Sequence, residues 1–495
     1  MEERKKQSTG IQLILLSGLK FWNQGVSLIK TMIISRMFSL TEYGIYTKIL
    51  LILDFAFAII VLNLPSCATY FISKSKSKKE KESFIFTYYV LCTIVGILMG
   101  ILLYCISPFL SVSLNCPELV KYRWFLLVTS LTQIISKATT YVLTSQGESQ
   151  KAVKISFSSS ILLLISLFIA NYSTNSFDIC LLLMIIVEII QTIIGYIVAY
   201  KNIDEYQNLT IRNSMFNIKY VRKIYNYIIP VGLSSIILII NTRIDKILVS
   251  ITASSEFYAI YANASKELPV AALSVAISSV IIPKIVEILK NNDKESAIKI
   301  WRHSFLFVFI LSSLLLVGTE VFAKEVMTII YSDKYAIGVN IFRIYLLLIP
   351  FHCIAFSILL SAMGQTKYIF KSAMLSMIVN VTLDILLMNL IGYMGLGIAT
   401  IIATAFMTYL QLLYSAKLLD VSIKNLIPIP ETLGTIGINI LFMITFYFFK
   451  RITLFEGMMN EISFAVLLGF VWSILYLLLQ RKKLIKEWHG LNYKD

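Results

Sequence analysis

Long apolar runs, separated by short polar connections, follow one another along the whole chain. Each is close to the roughly 20 mostly apolar residues that cross a bilayer as a helix. Fourteen can be marked out, at about 11–35, 43–70, 84–107, 120–144, 155–171, 178–200, 224–250, 257–282, 302–323, 336–362, 368–390, 393–416, 433–449 and 462–480. Most are apolar on every side, the mark of a helix set in lipid or among other helices. The pattern predicts an all-α polytopic membrane protein of about 14 transmembrane helices. The opening MEERKK and the run after it do not fit a cleaved signal, because the run is long, carries Lys20 and Lys30, and has no small-residue cleavage site. It is read as the first span.

Composition agrees. The chain is 57% hydrophobic and 15% charged, with a mean hydropathy of +0.79, whereas a soluble domain is nearer 45–50% and about 25%. The net charge of +16 would suggest nucleic acid as the partner of a soluble chain. Here lysine and arginine gather on alternate connections: Arg4 to Lys6, Lys74 to Lys81, Lys201 to Lys223, Lys284 to Arg302 and Arg481 to Lys486. That alternation is the positive-inside pattern. It places both termini in the cytoplasm and makes the excess charge topogenic, with no nucleic-acid partner.

The halves echo each other. Glu42-Tyr43-Gly44-Ile45-Tyr46 after span 1 returns as Glu256-Phe257-Tyr258-Ala259-Ile260-Tyr261 after span 7. Tyr122-Arg123-Trp124-Phe125-Leu126-Leu127 opens span 4, and Phe342-Arg343-Ile344-Tyr345-Leu346-Leu347 opens span 10. Pro65 and Pro283 lie near the ends of spans 2 and 8, and Gly147 and Gly364 end spans 4 and 10. All recur at nearly the same separation, with an even number of spans between partners, so the repeats are parallel. The expected organisation is a six-helix lobe over 1–200, a cytoplasmic linker over 201–223 with a basic, partly apolar stretch suited to the membrane surface, a second six-helix lobe over 224–416, and helices 13–14 with a tail over 417–495.

Ionisable residues inside spans are costly and mark cavities or paired interfaces. The basic set is Lys20, Lys30, Lys48, Lys137, Arg243, Lys246, Lys266 and Arg343; the acids are Asp54, Glu188, Asp245, Glu267 and Asp384. Lys20, Asn23, Gln24, Ser27, Lys30 and Thr31 share one face of the first span. Polar glue between helices is one reading; two lysines on one stripe favour the lining of a hydrated cavity. With Arg243, Lys266 and Arg343 they form a candidate binding set for an anion. Arg243 and Lys246 also fit snorkelling to an interface, and Lys266 lies beside Glu267, which can neutralise it. Asp54, Glu188, Asp245 and Asp384 are candidate sites for a coupling proton or sodium ion. For Asp245 a local ion pair is the competing reading, and for Glu188 and Asp384 a carboxyl bonded to a neighbouring helix. Gly96 and Gly100 form G-x-x-x-G in span 3, a close-packing signal.

Catalytic signals are missing. No connection is long enough for a catalytic domain, none carries paired carboxylates for sugar transfer, and there is no P-loop. The six cysteines have no CxxC spacing and the three histidines have no neighbouring ligand, so neither a metal nor another cofactor is expected.

Ser35-Arg36-Met37-Phe38-Ser39-Leu40-Thr41-Glu42-Tyr43-Gly44-Ile45-Tyr46 resembles the junction between the first two spans of bacterial polysaccharide repeat-unit flippases (Wzx-like) of the multidrug/oligosaccharidyl-lipid/polysaccharide exporter superfamily. Phe38 stands where that family usually has Leu. Ile244-Asp245-Lys246-Ile247-Leu248 is similar to the end of its seventh span, and Gly147 and Gly364 to its span-ending glycines. The resemblance implies a flippase of the bacterial cytoplasmic membrane. It would carry undecaprenyl-pyrophosphate-linked O-antigen or capsule units by alternating access driven by H+ or Na+, beside membrane lipid and polysaccharide-assembly proteins. A lipid II flippase and a cation-coupled multidrug exporter share the superfamily; the lysines of span 1 argue against a cationic drug. A membrane polymerase or ligase would need a large outer loop.

Overall fold

The computed structural model describes residues 9–75, 77–173, 176–204, 216–266, 270–450 and 461–491, and among these every regular element is helical. That is what lipid demands of a spanning chain, since a helix satisfies its backbone groups within itself. The protein is an all-α polytopic membrane protein. Among the described residues, ten helices are long and apolar enough to cross a membrane. The other expected spans fall on the helices Thr9–Met37 and Arg123–Ser145, on Ser255–Ala264 with Val270–Lys290, and on Val339–Leu346 with Ile349–His352 and Ile358–Ala362, so each of the fourteen runs has a helix or a chain of short helices. The chain divides into two units, Met1–Ala259 and Ile260–Asp495.

The first unit holds α1 (Thr9–Met37), α2 (Leu40–Ala56), α3 (Cys67–Lys74), α4 (Lys78–Ser113), α5 (Arg123–Ser145), α6 (Ser149–Ser173), α7 (Phe177–Asp204), α8 (Ile218–Thr252) and the start of α9 (Ser255–Ala264). Pairs α4–α5, α6–α7, α1–α6 and α5–α7 carry most of its packing, and α8, the seventh span, packs in this unit against α2 and α4. The G-x-x-x-G reading holds physically: a Cβ on Gly100 would stand 2.6 Å from the Leu127 carbonyl oxygen, and one on Gly96 would stand 3.0 Å from the Leu131 side chain. The missing side chains let α4 and α5 approach closely.

Span 2 is not one helix. α2 ends at Ala56, a π-helical turn covers Phe57–Val61, Leu62 and Asn63 take left-handed backbone angles (φ 49° and 58°), and a 3-10 turn over Leu64–Ser66 leads into α3. The break is held from outside: Gly232 of α8 lies against Leu62, and the Tyr88 hydroxyl donates to the Pro65 carbonyl at 2.9 Å.

The Glu42-Tyr43-Gly44 motif is a helix start. Ser39 and Glu42 form a capping box: the Glu42 N–H donates to Ser39 Oγ at 3.2 Å, and the Ser39 N–H to Glu42 Oε2 at 2.9 Å. Thr41 Oγ1 donates to Glu256 Oε1 at 2.9 Å, and Gly44 abuts the Ser255 backbone. The echoing motifs at Glu42 and Glu256 thus meet, with Gly44 at the contact.

Lys48, one of the basic residues expected inside a span, is fully buried. Its Nζ donates to the carbonyls of Leu114 at 2.6 Å and Asn115 at 3.2 Å, and sits 5.6 Å from the centroid of the Tyr258 ring. The last carbonyls of a helix lack partners within it, and a buried cation satisfies those ending α4. Lys48→Met is expected to lower thermal stability in detergent by about 1–3 kcal/mol, the cost of stranding buried acceptors. An unchanged Tm would show that the cap is dispensable.

The second unit holds the rest of α9, then α10 (Val270–Lys290), α11 (Lys294–Val321), α12 (Ala323–Tyr331), α13 (Val339–Leu346), α14 (Ile349–His352), α15 (Ile358–Ala362), α16 (Thr366–Ile391), α17 (Tyr393–Leu419), α18 (Ile423–Leu426), α19 (Ile429–Lys450) and α20 (Glu461–Leu491). Span 10 is therefore three short helices. α11 is the central element, packed by α10, α19 and α20. Trp301 on α11 is fully buried among Phe305 and Phe356, and its Nε1 donates to the Leu426 carbonyl at 3.1 Å. Lower on the same helix, Gly318 admits the Trp472 ring of α20. The Asp293 side chain caps α11 through the Ser296 N–H at 2.9 Å. Hydrogen bonds from Ser296 hold its carboxyl below the usual carboxylate range.

Candidate functional site

The polar stripe of α1 divides in the structure. Thr31 is buried and its hydroxyl donates to the Ser27 carbonyl of its own helix at 2.8 Å. Asn23 is exposed and accepts from Ser156 on α6 at 3.4 Å; Gln24 is half-buried. Lys30 is half-buried, with Nζ 5.9 Å from the centroid of the Tyr46 ring. The side chain of Lys20 lies outside the described residues.

Tyr46 is the strongest electrostatic partner of Lys30, and Glu188 on α7 attracts it as well. Glu188 accepts from Thr132 Oγ1 of α5 at 2.9 Å and is also hydrogen-bonded to Gln133. One turn further along α7, Gln191 Nε2 donates to Ser136 Oγ at 3.0 Å. The α5 face involved is itself periodic, with Thr129, Thr132, Gln133, Ser136, Lys137 and Thr140 three and four apart. That spacing is readable in the sequence and is the signal that would have pointed to this polar seam.

Two further pairs lie in the same unit. Arg243 NH2 stands 3.2 Å from Asp54 Oδ2, with both side chains partly exposed, and Lys137 is attracted to the same carboxylate while its Nζ lies 4.0 Å from the centroid of the Phe57 ring. Lys246 Nζ stands 3.6 Å from Asp245 Oδ2, and both are buried. Three of the ion-coupling candidates thus have a basic neighbour: Glu188 has Lys30 and Asp54 has Arg243, both anion-binding candidates, and Asp245 has Lys246. Uptake of a proton or cation by one of these acids weakens its hold on the adjacent base.

In the second unit, Arg343 Nε lies 3.5 Å from Glu320 Oε1, an acid the sequence reading had not singled out. Lys266 is half-buried just beyond α9, and its neighbour Glu267 lies outside the described residues. Asp384 is fully buried on α16, on the face that carries Ser372, Ser376 and Asn380. That face meets α17, where Ser376 Oγ donates to the Ala403 carbonyl at 2.8 Å and Gln411 Nε2 to Ser372 Oγ at 3.4 Å. Among the described residues no group of three or more His, Cys, Asp or Glu could hold a metal ion.

The model of one protein family, described as polysaccharide biosynthesis protein, matches residues 12–289, more than half of the chain. The chain belongs to this family. A second family model, lipid II flippase MurJ, matches residues 152–468, again more than half, and the chain belongs to that family too; the two matches overlap. Like the resemblance at the Glu42-Tyr43-Gly44 junction, the first match starts in α1, so the polysaccharide biosynthesis family covers the Lys30–Glu188 seam. Among curated relatives, a probable lipid II flippase MurJ of Helicobacter pylori is 28% identical over 193 residues, 37% of this chain and 42% of the relative. The chain spans well under half the length of that relative.

Solved structures extend the likeness in fold. The lipid II flippase MurJ in its inward closed conformation superposes with a TM-score of 0.67 at 20% identity, covering 95% of this chain and 99% of that one. The inward-facing conformation of a multidrug resistance MATE family transporter of the MOP superfamily gives 0.65 at 15% identity, covering 80% and 94%. At such identities it is the fold that is shared.

Proposed function

We propose that the protein is a flippase that moves a lipid-linked saccharide carrying a pyrophosphate across the membrane, and that its substrate is of the lipid II type. The observation that carries the reading is the match of residues 152–468 to the lipid II flippase family. This shifts the emphasis from the O-antigen or capsule units that the sequence motifs suggested. The chemistry is compatible: an anionic head needs cations at membrane depth, and Lys30 supplies one beside an acid that can release it. Lys20, Asn23 and Gln24 extend the same stripe, and Arg243 and Lys266 are further candidates for the phosphates. Glu188, Asp54, Asp245 and Asp384 are the proposed coupling acids, taking H+ or Na+. No bond is made or broken, so the protein is a transporter and not an enzyme. The basic connections support a cytoplasmic location for both termini.

The polysaccharide biosynthesis family match over residues 12–289 supports a second reading, in which the cargo is an undecaprenyl-pyrophosphate-linked oligosaccharide for a surface polysaccharide. Proteoliposomes separate the two. Each carrier, fluorescently labelled on its headgroup, is placed in the inner leaflet and its arrival outside is read by an impermeant quencher. Movement of lipid II is the expected result. Movement of the oligosaccharide carrier alone would favour the second reading, and movement of neither would overturn both.

A further inference from the structure

A cavity of about 450 Å³ in the second unit is lined by Glu320, Val321, Arg343, Met443, Ile444, Tyr447 and Phe448. It sits where α11 ends, α13 begins and α19 ends. Lys450 fixes that level, donating to the Val321 carbonyl at 3.1 Å and to Glu325 Oε2 at 2.7 Å. Between α11 and α13 the chain runs through α12 and a 3-10 segment, Asp333–Gly338, without another span. The cavity is thus at the depth of lipid headgroups, with Tyr447 and Lys450 as residues typical of a membrane interface. Its α19 wall opens sideways: Ile444 is 60% exposed and Phe448 67%.

The charged wall is half-used. Arg343 and Glu320 face each other at 3.5 Å, but Arg343 Nε and Glu320 Oε2, both enclosed, have no hydrogen-bond partner. A donor and an acceptor stranded together are costly, and a ligand bearing both an anion and a cation would satisfy them together. A purely anionic head would gain Arg343 but meet repulsion from Glu320. We propose that this groove binds a zwitterionic, amine-bearing glycerophospholipid of the phosphatidylethanolamine class. Arg343 takes the phosphate, Glu320 accepts from the ammonium, and an acyl chain lies along Met443, Ile444 and Phe448. The site is separate from the Lys30–Glu188 seam and does not rest on the transport reading.

Native mass spectrometry of the full chain, released from nanodiscs of equal phosphatidylethanolamine and phosphatidylglycerol, tests it. The wild type is expected to retain one phosphatidylethanolamine about tenfold more often than phosphatidylglycerol. Phosphatidylcholine, whose quaternary amine has no N–H, should be retained less. Glu320→Gln should abolish the preference while phosphate-bearing lipid still binds, and Arg343→Gln should lose both lipids. Ile444→Trp fills the groove without touching the charges and should also release the lipid, which keeps the test decisive if a charge variant fails to fold. Equal retention of the two lipids by wild type, or an unchanged preference in Glu320→Gln, would overturn the proposal.

Discussion

Lys30→Gln is expected to cut lipid II movement in proteoliposomes by about ten- to a hundredfold, with protein level in the membrane maintained. A hydrogen bond to a charged group is worth about 1.5–3 kcal/mol, and each 1.4 kcal/mol is tenfold. Lys30 is half-buried on α1 between Tyr46 and Glu188, so its ammonium is only partly screened by water. Lys30→Arg keeps the charge and should retain more activity than Lys30→Gln. The double variant Lys30→Gln/Glu188→Gln sharpens the argument. Removing the lysine alone leaves the Glu188 carboxylate with its hydrogen bonds from Thr132 and Gln133 but without that cation; removing both charges relieves that cost. The double variant should therefore recover thermal stability relative to Lys30→Gln but remain slow. If stability and transport recover together, the pair is a structural fastening. Full transport by Lys30→Gln would remove Lys30 from the substrate path.

Gly44→Leu is expected to leave little folded protein in the membrane, and Gly44→Ala to cost about 1–3 kcal/mol, the usual range for overpacking a tight contact. A Cβ at Gly44 would run into the Ser255 backbone carbonyl, and a backbone atom cannot step aside as a flexible side chain can. The capping box at Ser39 and Glu42 and the Thr41–Glu256 bond flank the contact, so a shift there would break two sets of hydrogen bonds as well. Gly434→Ala and Gly469→Ala are the controls. Neither position has an atom within 4 Å of the added Cβ, and alanine is about 1 kcal/mol the better helix former. Their Tm should hold or rise. A Gly44→Ala protein as stable as these controls would mean that α2 moves freely away from Ser255.

Hydropathy was sufficient for the helices because the property is local: an apolar run of spanning length reads the same whatever its neighbours. The breaks were harder. Proline is the usual marker, yet Pro108, Pro230 and Pro283 sit inside continuous helices. At Pro108 a local hydroxyl serves the carbonyl that the missing N–H frees: Ser107 donates to that of Tyr104, four residues back from the proline, at 2.8 Å. Such repairs are how membrane helices tolerate proline. The real break in span 2 falls on Leu62 and Asn63, and nothing about a leucine announces a left-handed backbone; Gly232 of another helix leaves the room that Leu62 occupies there. The charged residues were visible one by one, but not their partners. Lys30 and Glu188 are far apart in the chain, and only the packing of α1 and α7 on either side of α6 brings their charges within reach of each other. The role of Lys48 was hidden for the same reason, since a helix cap supplied by another helix leaves no mark of its own in the sequence.

The pairing of charges also bears on how the protein responds to an electric field. A single charge moved through a membrane potential gains or loses about 2.3 kcal/mol per 100 mV. Lys30 with Glu188, Arg243 with Asp54 and Lys246 with Asp245 each sum to zero when both partners are ionised. A rearrangement that carries such a pair intact does no electrical work, so voltage has no grip on it. The field acts only when a pair is split, by a proton or cation on the acid or by a phosphate drawing away the base. For these three pairs, voltage sensitivity would then belong to the states in which a pair is split and not to those in which it is intact.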